Sequence, residues 1–155
     1  GGSFGGYSAL MGVVRAPHLF KCAIGYAGVY DLGMMYSKGD IQSTKAGVSY
    51  LSTVMGHDRA KLAANSPDKL ANKIDVPVFL AHGKDDQRAP FAGAEAMRDA
   101  LETAHKKVEW MAVPHEGHGF YTEEDNVAFL TRMQAFLAQY IGPGAPPNQP
   151  ASAGN

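Results

Sequence analysis

A single cysteine, Cys22, stands in this 155-residue chain, so no intrachain disulfide can form. It lies in the apolar run "CAIGYAGV", where a small core side chain is the expected role. An excess of either charge is lacking too: 14 Lys and Arg stand against 15 Asp and Glu, with the signs interspersed. Without a basic stripe to neutralise phosphates, nucleic acid is not an expected partner. No apolar stretch reaches the roughly 18 to 20 residues that cross a bilayer, so no membrane partner is expected either. The first residues lack the charged-then-apolar order of a signal peptide and include no initiator methionine. The chain therefore reads as a fragment of a longer protein, whose compartment stays unknown.

What is present is the composition of a globular domain, with 45% hydrophobic and 19% charged residues. Its length suits one domain rather than two. Tyr7, Leu10, Met11 and Val14 recur at helical spacing and predict a helix from Gly5 to about Val14. Pro17 breaks it. "KCAIGYAGV" reads as a short strand buried on both faces, and 32–62 as loops and short helices. Ser66 is placed to cap a helix beginning at Pro67. "VPVFLAHG" is a second apolar strand, and "FAGAEAMRDALETAHKK" an amphipathic helix with Ala94, Met97 and Leu101 inward. "VEWMAVP" is a third strand. A closing helix over "EEDNVAFLTRMQAFLAQYI" is expected to bury Val127, Leu130, Met133, Phe136, Leu137 and Tyr140. Residues 142–155, "GPGAPPNQPASAGN", are expected to be disordered. Strands alternating with helices predict an α/β domain over residues 1–141, with a parallel sheet and crossover helices. In such sheets ligands bind beyond the carboxyl ends of the strands.

The first residues, "GGSFGGY", set a serine in the spacing G-x-S-x-G. A serine hydroxyl is a weak nucleophile at neutral pH and needs a histidine base oriented by a carboxylate. In sheet hydrolases it occupies a tight strand-to-helix turn, where small residues such as Gly1 and Gly5 relieve crowding and Gly6 adds room. With 18 glycines in the chain, such a match arises by composition roughly one time in ten. The acid should follow a later strand. "HGKDDQRAP" offers Asp85 and Asp86, and Asp31 is a rival after the first strand. The base should come last, and "PHEGHGF" offers His118 between two glycines, with His115 as its rival. The two histidines lack the further ligands of a metal site, and no motif calls for a cofactor. Ser, Asp, His, each after a separate strand, is the chain order of α/β-hydrolases.

These residues also resemble the prolyl oligopeptidase family of serine peptidases, above all its dipeptidyl-peptidase and acylaminoacyl-peptidase branch. The likeness rests on "GGSFGGY", on "HGKDDQRAP", on "EGHGF" and on the approach "SPDKLANKIDVPVFLAHG", and runs from Gly1 to about Ile141. It implies Ser3 as nucleophile, Asp86 rather than Asp85 as acid, and His118 rather than His115 as base. It implies an oligopeptide substrate cleaved through an acyl-enzyme, with the N–H of Phe4 as one oxyanion donor. Ala89 stands where the family usually has valine. The resemblance further implies a longer parent, with an N-terminal β-propeller and with the earlier strands of the α/β-hydrolase domain, none of which this sequence contains. Two consequences are expected: weak activity of the fragment, which lacks a second oxyanion donor, and association of copies through an open strand edge. An esterase on the same fold is the alternative, followed by a non-catalytic hydrolase-like module.

Overall fold

The computed structural model describes residues 1–145. Helix α1 (Phe4–Arg15) leads into strand β1 (Ala23–Tyr26). Helices α2 (Lys45–Val54) and α3 (Arg59–Ala64) follow, and then strand β2 (Val78–Gly83). Helix α4 (Phe91–Thr103), strand β3 (Val108–Val113) and helix α5 (Glu123–Ile141) complete the order. Among the described residues the strands form one parallel sheet in the order β1-β2-β3. Parallel neighbours need crossover connections, and α4 supplies the one between β2 and β3.

β2 is central, and all six of its residues are buried. Its alternating side chains feed two cores, because successive residues of a strand point to opposite faces. Val78 and Leu80 join Leu10 and Val13 of α1 and Ala94, Met97 and Leu101 of α4 on one face. Phe79 and Ala81 join Val113, Phe120 and the α5 residues Phe129 and Phe136 on the other. The three inward positions expected for α4 are therefore buried together.

Four expectations differ from the structure. β1 is shorter than "KCAIGYAGV" and alternates between buried and half-buried residues, since the chain leaves the sheet at Ala27, whose φ is 46°. Ser66 stands at the expected N-cap, but its buried hydroxyl donates to the carbonyl of Leu62 and accepts the N–H of Leu32. The segment it introduces, Pro67–Lys73, is a 3₁₀ helix. On α5 the buried line runs through Phe129 and Phe136, with Met133 and Tyr140 packed beside them, whereas Val127 and Leu130 are exposed. A 3.6-residue period cannot hold 127, 130, 133 and 136 on one line, since steps of three drift steadily around the helix. The tail expected to be disordered lies mostly outside the described residues.

Candidate active site

Gly1 to Ser3 run beside the carboxyl end of β1. Gly2 bridges Tyr26 in parallel, the N–H of Ser3 donates to the carbonyl of Tyr26 at 2.8 Å, and the N–H of Tyr26 donates to Gly1 at 3.0 Å. The next residue already belongs to α1, so the turn is abrupt. Ser3 absorbs it with φ 54° and ψ −123°, a backbone conformation that costs a residue with a Cβ on the order of 1–3 kcal/mol. Glycine is required at Gly1, where a Cβ would lie 2.3 Å from the carbonyl oxygen of Gly5. Gly6 is required by close packing, since its Cβ would come within 2.9 Å of the Cα of Gly28. The expectation for Gly5 itself does not hold, because a Cβ there meets open space.

The loops after β2 and β3 bring Asp86 and His118 to this turn. His118 Nε2 lies 2.9 Å from Ser3 Oγ, and His118 Nδ1 lies 2.9 Å from Asp86 Oδ2. An ionised carboxylate only accepts, so Nδ1 carries the proton, leaving Nε2 to accept from the serine hydroxyl. Asp86 Oδ1 accepts the N–H groups of Arg88 and Ala89, each at 2.9 Å. Burial pushes this carboxyl up, but the hydrogen bonds from His82, His118 and Ala89 outweigh it and hold Asp86 below the usual carboxylate range.

The rival residues lie elsewhere. Asp85 and His115 are exposed and face each other at 3.9 Å. Asp31 caps the N–H of Met34 and pairs with Lys69 at 3.2 Å. Arg88, two residues after Asp86, turns its guanidinium to Asp40 at 2.8 Å. In the segment of loops and short helices over 32–62, Met35 is buried and Tyr50 exposed. Tyr36 lines a cleft of about 500 Å³ with Asp31, His57, Arg59 and Lys69, and Ser3, Asp86 and His118 do not line it.

Two residues escaped sequence reasoning. Glu116, only 2% exposed, accepts the N–H groups of Tyr121 and Thr122 at 2.9 Å each, while its own carbonyl accepts the N–H of Asp85. It ties the histidine loop to itself and to the aspartate loop. His82, wholly buried, lies 3.1 Å from Asp86 Oδ2. Its signal was available: a polar side chain inside the otherwise apolar strand "VFLAHG".

A serine held at a strained strand-to-helix turn, in reach of a histidine and a buried aspartate on successive strand ends, is the arrangement of an α/β-hydrolase. The sequence profile of the prolyl oligopeptidase family matches residues 1–144, and the chain belongs to that family of peptidases. It is 31% identical over 152 residues to a dipeptidyl aminopeptidase BIII of Pseudoxanthomonas mexicana, covering 95% of this chain and 22% of the relative. A dipeptidyl peptidase family member 6 of Caenorhabditis elegans is 27% identical, covering 97% of this chain and 21% of that protein. The chain thus spans about a fifth of the length of these relatives. Among solved structures, a puromycin-hydrolysing peptidase of Mycobacterium tuberculosis superposes with a TM-score of 0.82 at 25% identity, over 96% of this chain and 22% of that one. The acylaminoacyl peptidase of Pyrococcus horikoshii shares the fold, with a TM-score of 0.83 at 20% identity over 96% of this chain and 25% of its own.

Proposed function

We propose that the chain carries the catalytic residues of a serine peptidase that cleaves oligopeptides through an acyl-enzyme. The observation that carries this reading is the continuous line Ser3 Oγ, His118 Nε2, His118 Nδ1, Asp86 Oδ2, with both gaps at 2.9 Å. His118 takes the hydroxyl proton as Ser3 Oγ attacks the peptide carbonyl carbon, and Asp86 holds the ring in the tautomer that permits it. The carbonyl oxygen gains negative charge beside the N–H of Phe4. As the first residue of α1, Phe4 precedes the ladder that begins with the N–H groups of Gly5 and Gly6, and it adds the positive end of the helix dipole. His118 then gives its proton to the leaving amine, the C–N bond breaks, and the acyl group stays on Ser3. Water, deprotonated by His118, attacks the ester carbon; the bond from that carbon to Ser3 Oγ breaks, His118 returns the proton to Oγ, and the acid leaves.

The test is labelling by a fluorophosphonate probe, followed by turnover of aminoacyl-anilides. Wild-type protein labels and Ser3→Ala does not; equal labelling of both, or none of either, sinks the reading. A second donor to the oxyanion normally comes from a loop earlier in such a domain, and losing one donor costs on the order of a hundred- to a thousandfold in rate. The 155-residue chain alone is therefore expected to label by about that factor more slowly than a longer protein containing it.

One observation favours a second reading, carboxylic ester hydrolysis. A putative carboxymethylenebutenolidase of Methylorubrum extorquens is 30% identical over 81 residues, which is 52% of this chain and 28% of that protein. Turnover of short acyl esters with none of aminoacyl-anilides selects it.

A further inference from the structure

We propose that His82 is a positioning residue for Asp86: a neutral imidazole whose Nε2–H, shared between the Ala89 carbonyl and Asp86 Oδ2, fixes the carboxylate that orients His118. This deepens the peptidase reading and rests on it. The side chains of His82 and Asp86 are both fully buried, and His82 Nε2 lies 2.8 Å from the Ala89 oxygen and 3.1 Å from Asp86 Oδ2. A carbonyl oxygen only accepts, so Nε2 must carry a proton. The other nitrogen, Nδ1, is buried and has no hydrogen-bond partner among the described residues. A second proton there would be an unmet buried donor, which is costly, so the ring is the neutral Nε2–H tautomer.

The geometry gives that tautomer a use. β2 sends Val78, Leu80 and His82 to the face covered by α4, and the ring of Phe91 at the start of α4 packs 6.0 Å from the imidazole. His82 is thereby held between a strand and a helix, with one polar edge aimed at the aspartate loop. Asp86 Oδ1 is already committed to the N–H groups of Arg88 and Ala89. His82 Nε2–H, bonded to the Ala89 oxygen, lies 3.1 Å from Oδ2, the oxygen that faces His118. It shares the negative charge of that oxygen and limits rotation of the carboxylate. The other ionisable groups nearby are His118 itself, Tyr26 of β1, which feels the charges of both Asp86 and Glu116, and Arg88, whose guanidinium is engaged by Asp40. Asp86 staying below the usual carboxylate range despite its burial accords with a donor of this kind.

The experiment follows fluorophosphonate labelling against pH in the protein that carries this chain, as wild type, His82→Leu and His82→Gln. Leucine removes the donor, and charge then concentrates on the oxygen facing His118. Labelling at pH 7 is expected to slow about ten- to a hundredfold, as the loss of a hydrogen bond to a charged group implies, and the acid limb to move to higher pH. Glutamine, whose amide nitrogen reaches the position of Nε2, is expected to restore both. A His82→Leu protein with lowered stability but an unmoved acid limb overturns the proposal, since a filler of space affects amplitude alone. If His82→Leu does not fold, the glutamine variant and nitrogen-15 NMR of the wild type decide. An Nδ1 that bears a proton at pH 7, or a glutamine variant with a displaced acid limb, overturns it. Wild type that fails to label, or Ser3→Ala that labels normally, removes the peptidase reading and this proposal with it. A labelled wild type with an unmoved limb removes only the role of His82.

Discussion

Glu116 and Tyr121 are joined by a hydrogen bond of 2.9 Å in which the backbone N–H of Tyr121 donates to the buried carboxylate. With the matching bond from Thr122, it closes the loop that carries His118. Hydrogen bonds to a charged group contribute about 1.5–3 kcal/mol each. Glu116→Ala leaves two backbone donors unmet, and it is expected to lower the urea unfolding free energy by about 2–4 kcal/mol. Glu116→Gln, which keeps one acceptor oxygen, should lose less than half of that. Equal losses would mean that the carboxylate oxygen is not what holds the loop.

Asp86 makes stability depend on pH in a defined direction. Its folded carboxyl sits below its ordinary value, so it favours the native state above the ordinary carboxylate range. That contribution is lost as the pH falls through the lower, folded value. Asp86→Asn is expected to narrow the difference in urea midpoint between pH 7 and pH 3. It should also cut labelling by about 10⁴-fold, because an amide permits the wrong histidine tautomer. A midpoint difference as wide as in wild type would assign the acid sensitivity to other carboxyls.

Ser3 trades stability for position. With φ at 54°, it occupies backbone space that glycine enters freely. Ser3→Gly should therefore raise the melting temperature, by the equivalent of about 1 kcal/mol, while abolishing labelling. A variant that melts at or below the wild-type temperature would show that the turn is not strained in solution.

The two faces of α5 should respond unequally to truncation. Phe129 is 7% exposed and stacks on Tyr26 with ring centroids 4.5 Å apart, whereas Leu130 is 51% exposed. Phe129→Ala is expected to cost about 3–5 kcal/mol and Leu130→Ala less than about 0.5 kcal/mol. Chemical denaturation of the two variants checks it, and comparable losses would move the buried stripe back to the Leu130 side.

Much of this was legible in the chain. The order of strands and helices, the inward residues of α4, and a candidate set of Ser3 with Asp31, Asp85 or Asp86 and His115 or His118 follow from local pattern and motif spacing. Those signals lie within a few residues of one another, where backbone periodicity controls them. The resemblance to a family, now joined by a profile match over residues 1–144, separated Asp86 from Asp85 and His118 from His115. Spacing alone had left both pairs open.

Other features depend on which segments meet in space. Ser66 has the identity of a helix cap, yet its hydroxyl serves Leu32, 34 positions away. On α5, the side of the helix that faces Phe79 and Tyr26 decided which apolar residues are buried. Glu116 and His82 stand inside the quoted motifs "EGHGF" and "HGKDDQRAP", yet their roles were not legible there, because their partners are backbone groups and a carboxylate brought near by loops. By itself the sequence determined the fold class and the residue types of the site, since both are written in short-range periodicity and motifs. Only the tertiary structure decided the strained backbone of Ser3, the second histidine on Asp86 and the latch at Glu116. Each of these is a consequence of close packing between strand ends, and no local preference specifies it.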